Sequence, residues 1–156
     1  WSGISSFSLL VNTAYIYSRV EVQNTALATY SSQNRALQGQ SPFIVNTGID
    51  HNWESLGLAS TLLFNISGRR IIRVGTVYSG TPIGDVYEEP YLRMDFVLRK
   101  KVFEKGQFKL AFGNILNPEI RTTQEIQNSS TKEKREFDID SYRAGMTISG
   151  TYTQQF

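Results

Sequence analysis

Few side chains in this sequence have the types and spacing that chemistry requires. Arg69, Arg70 and Arg73 crowd three cations into five positions. They could attract an anionic ligand or phosphate groups, or they could be a solvated strand extension pairing with acidic neighbours such as Glu88 or Glu89. Asp138 and Asp140 stand two apart, so on a strand they share a face. That pair could hold a cation, although solvated carboxylates explain it as well. His51 is the only histidine, and no converging ligands surround it in the sequence, so it reads as an interfacial residue at a strand end near Trp53. Arg93, Asp95 and Arg99 fall on alternate positions and form a ladder suited to salt bridging. There is no nucleophile–base pair, phosphate loop or metal-spaced cluster, so the residues point to no enzyme, no cofactor and no metal.

The elements that would carry these residues are strands. From Ser141 to Phe156 the even positions are Tyr142, Ala144, Met146, Ile148, Gly150, Tyr152, Gln154 and Phe156, apolar or aromatic with one exception. The odd positions, Ser141, Arg143, Gly145, Thr147, Ser149, Thr151, Thr153 and Gln155, are polar or glycine. A period of two over that length is a β-strand with one apolar and one wet face. It exceeds the roughly 5–6 residues of an ordinary soluble strand and approaches a tilted membrane strand, which needs about 9–11 residues for the hydrocarbon alone. The reading predicts a terminal strand of an outer-membrane barrel, with Tyr142, Met146, Ile148, Gly150, Tyr152 and Phe156 toward lipid and Arg143 toward the lumen. Gly150, Tyr152 and Phe156 look like a closing-strand assembly signal.

Five further strands precede it. The first runs from about Ser5 to Val22, with Phe7, Leu9, Val11, Thr13, Tyr15 and Tyr17 on one face. The second opens at Pro42 and carries Phe43, Val45, Thr47, Ile49, His51 and Trp53 on one face. The third, from Leu58, resumes after Ser67-Gly68 as Arg69 to Val74, which suggests one strand with a bulge. The fourth spans Tyr87 to Phe103 and places Arg93, Asp95 and Arg99 toward the lumen. The fifth carries Phe108, Leu110, Phe112 and Leu116. Polar stretches at Gln23–Ser41, Gly75–Asp85 and Thr122–Glu136 read as long loops; Trp53–Ser55 and Glu104–Gln107 read as short turns. Loops therefore alternate long and short, as in bacterial barrels.

Composition agrees without deciding. A formal charge of +2, with 19% charged residues, leaves no nucleic-acid footprint. There is no cysteine, so disulfides and thiolate metal sites are unavailable. No apolar run approaches the ~18 residues of a membrane helix. A barrel hides from such scans because its two faces alternate. Asn128-Ser129-Ser130 matches a glycosylation sequon, which means little in a bacterial membrane protein. Single-chain barrels begin at about eight strands, and an open edge in lipid costs several kcal/mol per unpaired group. Six strands are thus expected to be one sector of a larger barrel. The start at Trp1, without methionine or signal peptide, fits a partial chain.

Several motifs resemble one family. Arg35-Ala36-Leu37-Gln38-Gly39-Gln40-Ser41-Pro42-Phe43-Ile44-Val45-Asn46 looks like the entry into a late strand of TonB-dependent receptors of the Bacteroidetes type. Leu63-Phe64-Asn65, Gly68-Arg69-Arg70-Ile71 and Val74-Gly75 resemble their next hairpin strand. Tyr87-Glu88-Glu89-Pro90, Met94-Asp95 and Gly113-Asn114-Ile115-Leu116-Asn117 are similar to the closing pattern. The resemblance implies an all-β, antiparallel up-and-down transmembrane barrel of about 22 strands. Residues 1–156 would be the C-terminal part of that single barrel domain. It also implies a bacterial outer-membrane location and uptake of a ligand. The partners expected are outer-membrane lipid, the remaining strands and plug, a surface lipoprotein and the TonB energising complex. The alternative is a structural barrel subunit of a larger outer-membrane complex without transport. A soluble barrel fits worst, because its outer face would have to be wet.

Overall fold

Residues 5–22, 29–32, 34–127 and 134–155 are described by the structure, a computed structural model. Phe156 and Asn128-Ser129-Ser130 lie outside them, as does part of the Gln23–Ser41 stretch. The six principal strands are β1 (Ser5–Tyr15), β4 (Phe43–Trp53), β5 (Leu58–Ser67), β10 (Leu92–Val102), β11 (Gly106–Gly113) and β14 (Thr147–Gln154). Short strands intervene, β2 (Val20–Glu21), β3 (Asn34–Arg35), β6 (Arg70–Arg73), β7 (Val77–Tyr78), β8 (Thr81–Pro82) and β9 (Val86–Glu88), with two longer ones, β12 (Glu119–Gln127) and β13 (Lys134–Arg143). The chain is all-β, and every pairing is antiparallel.

The principal strands form one sheet in sequence order, β1-β4-β5-β10-β11-β14. Partners across a ladder share a face, so the register can be read in rows. One row runs Leu9–Ile49–Leu62–Phe96–Phe112–Ile148 across all six strands. The adjacent row on the other face runs Ser8–Asp50–Thr61–Val97–Ala111–Ser149. The alternation read from single strands is therefore coherent across the sheet: one face is largely apolar, with Thr47, His51, Ser60 and Lys100 among the exceptions, and the other is largely polar.

Among the described residues, no second layer covers either face of this sheet. Leu9 is 67% exposed and Ile148 63%. Among the described residues only Ile71, Val86 and Ile120 are buried hydrophobics. The accessible surface is 11065 Å², against roughly 7,900 Å² for a folded monomer of 17.7 kDa. The described strands do not close: no pairing joins β1 to β14.

A second sheet, β13-β12-β9-β6, prolongs the first. Each of its strands continues a principal one: β5 into β6, β9 into β10, β11 into β12, β13 into β14. All four interruptions have local causes. Pro90 lacks the N–H that a central strand needs. A Cβ on Gly68 would meet the Phe43 ring and Pro42 at 2.8 Å. Asn114 and Asn117 have φ of 56° and 41°, and Gly145 has 85°, a left-handed region that L side chains other than Asn rarely enter.

Several expected boundaries shift accordingly. The terminal strand is not continuous from Ser141, because it breaks at residues 144–146. The first strand stops at Tyr15, and Val20–Glu21 pairs with Asn34–Arg35 instead. The polar stretch 122–136 is mostly strand, with Glu119–Gln127 paired to Lys134–Arg143 through a shift at Thr122/Thr123. Gly106 and Gln107 belong to β11, not to the turn. The polarity that suggested loops marks strands whose buried positions are polar, Thr122 and Thr123 among them. Both short turns, 54–57 and 103–105, lie at one end of the principal sheet, and the three long connections lie at the other.

Candidate functional site

The side chains that come together lie at the long-connection end, where the second sheet meets the described residues of the segment 15–42. Backbone bonds fasten that segment: Ile16 N–H donates to Pro42 O at 2.9 Å and Gly39 N–H to Ile71 O at 2.7 Å. Leu37 N–H donates to Ser18 Oγ at 3.0 Å, and Ser31 N–H to Gly75 O at 3.2 Å. Asp85, buried at 6% exposure, accepts from Gly75 N–H at 2.7 Å and from the Ser32 hydroxyl. Gly75 and Gly84 sit where chains nearly touch; a Cβ there would lie 2.2 Å from Ile83 O and 1.8 Å from Glu125 O.

These contacts border an open cavity of about 440 Å³, lined by Tyr15, Tyr17, Arg35, Gln40, Asp85 and Tyr87 among others. Arg69 forms one wall. Its guanidinium stacks on the Tyr87 ring, 4.0 Å from the centroid, and ion-pairs with Glu89 at 2.8 Å, Glu125 at 3.6 Å and Glu136. It also donates to Thr123 Oγ1 at 3.0 Å, and that hydroxyl donates to Glu89 at 2.7 Å. The Thr123 hydroxyl beside Glu136 is the first cause that holds the Glu136 carboxyl below its usual range; burial opposes it, and Arg69 adds to it. Burial pushes the Tyr87 phenol up, reinforced by Asp85 and Glu125.

The other residues singled out from sequence fall elsewhere. Arg70 pairs with Glu88 at 2.7 Å, while Arg73 is exposed at the far end of β6. Arg93 pairs with Asp95 at 3.1 Å, and Asp95 also caps the Asn114 amide at 2.7 Å. Arg99 donates to Thr61, which donates to Asp50, so these three join one polar-face network. Arg143 stands apart from that ladder, beyond the break, opposite Glu119. Asp138 faces Arg121 at 3.7 Å; among the described residues no group of three potential metal ligands gathers there or elsewhere. His51 stacks on Phe7 and meets the Trp53 ring at a tilt, with ring centroids 3.7 and 3.6 Å away. Ile148, Gly150 and Tyr152 lie on the apolar face with Phe112, Leu110 and Phe108. Met146 falls in the break, and Tyr142, in β13, is opposite Ile120.

Sequence reading missed the cavity because its walls are far apart in the chain. Arg35, Gln40 and Asp85 lay in stretches taken for loops, and no periodicity links them. In comparisons with known proteins, the chain matches no family model, no curated protein and no solved structure.

Proposed function

We propose that this chain forms a sector of the wall of a bacterial outer-membrane β-barrel of the TonB-dependent receptor type, which takes up a ligand across that membrane. The observation that carries the reading is the uncovered apolar face. A water-soluble protein seldom leaves an apolar patch above a few hundred Å² in solvent, and here a whole row crosses six strands. Lipid is the partner that such a face fits, and antiparallel order with short turns at one end suits a barrel sector.

Aromatic residues support the same orientation. Trp53, His51, Phe7, Phe108 and Tyr152 cluster toward the short-turn end of the apolar face, and Tyr15 and Phe43 toward the other. From Phe43 to Trp53 the strand rises about 34 Å; at a tilt near 40° that is about 26 Å of depth, close to the ~25 Å band of such barrels. The second sheet then stands outside the membrane on the long-connection side, with its salt bridges in water. Remaining strands pair with the edges of β1 and β14, and a plug faces the polar side. A fastened cavity among the long connections favours a receptor over a purely structural wall.

Residues 1–156 contain no cysteine, so single cysteines can report each face without background from these residues. In membranes, cysteines at Leu62, Leu110 and Ile148 should resist a water-soluble maleimide until detergent is added. Cysteines at Thr61, Ala111 and Ser149 should label in the intact barrel once the lumen is reached. Equal labelling of both sets in membranes would sink the proposal, as would recovery of the protein outside the outer-membrane fraction.

A further inference from the structure

Five buried side-chain polar atoms have no hydrogen-bond partner among the described residues, and four belong to residues lining this same cavity: Ser31 Oγ, Arg35 Nε, Gln40 Oε1 and Arg69 Nε. Buried polar atoms are ordinarily satisfied, so such a concentration calls for a physical cause. Arg69 is accounted for, because three carboxylates surround it and Glu89 lies 2.8 Å from that nitrogen. Arg35 is different. It forms no ion pair among the described residues, and its one charge contact is a cation–π approach to Tyr30, 5.9 Å from the centroid, near the limit of such interactions. Water can fill the hydroxyl and amide positions, but a half-buried guanidinium without an anion is costly to keep.

We propose that the cavity binds a small polar ligand through a carboxylate or another oxyanion seated on Arg35. The planar guanidinium presents a fork of donors that matches an oxyanion. Gln40 Oε1 then accepts from a hydroxyl or amide of the same ligand, and Ser31 can donate or accept. The fastened walls make the site largely preformed, which spares the ligand the cost of ordering it. This deepens the receptor reading and rests on it for the direction of uptake, but its test does not need a membrane.

Phenylglyoxal modification of the detergent-purified protein, mapped by peptide mass spectrometry, reads the two arginines separately. Arg35 should react, and Arg69, stacked and ion-paired, should resist. Glucuronate should protect Arg35; glucose, the same polyol without the carboxylate, should not. Inorganic phosphate separates the sources: protection by phosphate as well marks a general oxyanion seat, and protection by glucuronate alone marks a carboxylate seat. In equilibrium dialysis with labelled glucuronate, Arg35→Gln should weaken binding by about ten- to hundredfold, and Arg35→Lys by less. Protection by glucose as strong as by glucuronate, or protection by none of the three, overturns the proposal. So does parent-like binding in Arg35→Gln; if that variant fails to fold, the protection experiment on the parent still decides. Failure here leaves cysteine labelling of the wall unchanged, so the two readings fail separately.

Discussion

The side-chain amide of Asn114 donates to the carbonyl oxygen of Gly145 at 2.7 Å. The bond is returned nearby, where Gly145 N–H donates to Asn117 Oδ1 at 2.9 Å. Both strands of the last hairpin leave the ladder here, and asparagine side chains replace the backbone partners that the irregularity removes. The break is thus a built corner, level with the interruptions at Gly68 and Pro90 in the neighbouring strands.

Gly145 should tolerate a side chain poorly for backbone reasons alone. Nothing lies within 4 Å of a Cβ placed there, yet its φ is +85°. Gly145→Ala is expected to cost about 1–2 kcal/mol, and Asn117→Ala about 1 kcal/mol for its lost bond. Denaturant titration of the folded protein measures both. A neutral Gly145→Ala would mean that the corner is not held in the left-handed conformation.

The two faces of β14 should respond differently to charge. Ile148 shares its row with Phe112 and Leu62, and Ser149 shares the next with Ala111 and Thr61. On the proposed membrane reading, Ile148→Arg costs about 2–4 kcal/mol near the midplane, and Ser149→Arg much less. Folding titrations in phospholipid vesicles give the comparison; equal losses would count against a lipid-facing Ile148.

The face assignments were legible because alternation is a property of each strand, and Phe43–Trp53 displays it without help from its neighbours. Register then had only to align apolar with apolar, as Phe112 aligns with Ile148. The corner was not legible. Ser141–Phe156 keeps its parity through Ala144–Met146, so the pattern ran on where the ladder stops. The strand Glu119–Gln127 was hidden for the opposite reason: Thr122, Thr123 and Gln124 face polar surroundings on both sides, and no alternation survives. The cavity was beyond reach because Arg35 and Asp85 come to line one cavity only through tertiary contacts such as that of Ser31 with Gly75.

The Arg69 cluster should make the second sheet sensitive to acid. Glu136 has a depressed pKa in the fold, so its stabilising contribution is complete above the ordinary glutamate range. It is lost as pH falls through the depressed value. Glu136→Gln should flatten the acid limb of the stability curve while costing less than about 1 kcal/mol at neutral pH, since this carboxyl is largely exposed. Arg69→Ala removes the shared cation from three carboxylates and should cost about 1–2 kcal/mol, less at high salt. An unchanged acid limb in Glu136→Gln would show that the pairing with Arg69 and Thr123 does not persist in solution.

The outer edges of β1 and β14 carry the last expectation. Each strand has one ladder partner among the described residues, β4 for the first and β11 for the last. Each therefore presents a row of backbone groups with no strand beside it, and such rows recruit pairing partners. In lipid each unpaired group costs several kcal/mol, so a membrane wall needs strands from outside these residues at both edges. Hydrogen exchange separates the cases, because alternate amides of β1 point to β4 and the others point away. In the membrane-assembled protein both sets should be protected alike. In residues 1–156 produced alone in detergent, the outward set should exchange faster by orders of magnitude. Slow exchange of both sets in the isolated chain, together with a β1–β14 cross-link between cysteines at Leu9 and Ile148, would mean that six strands close on themselves. That result would remove the wide-barrel reading.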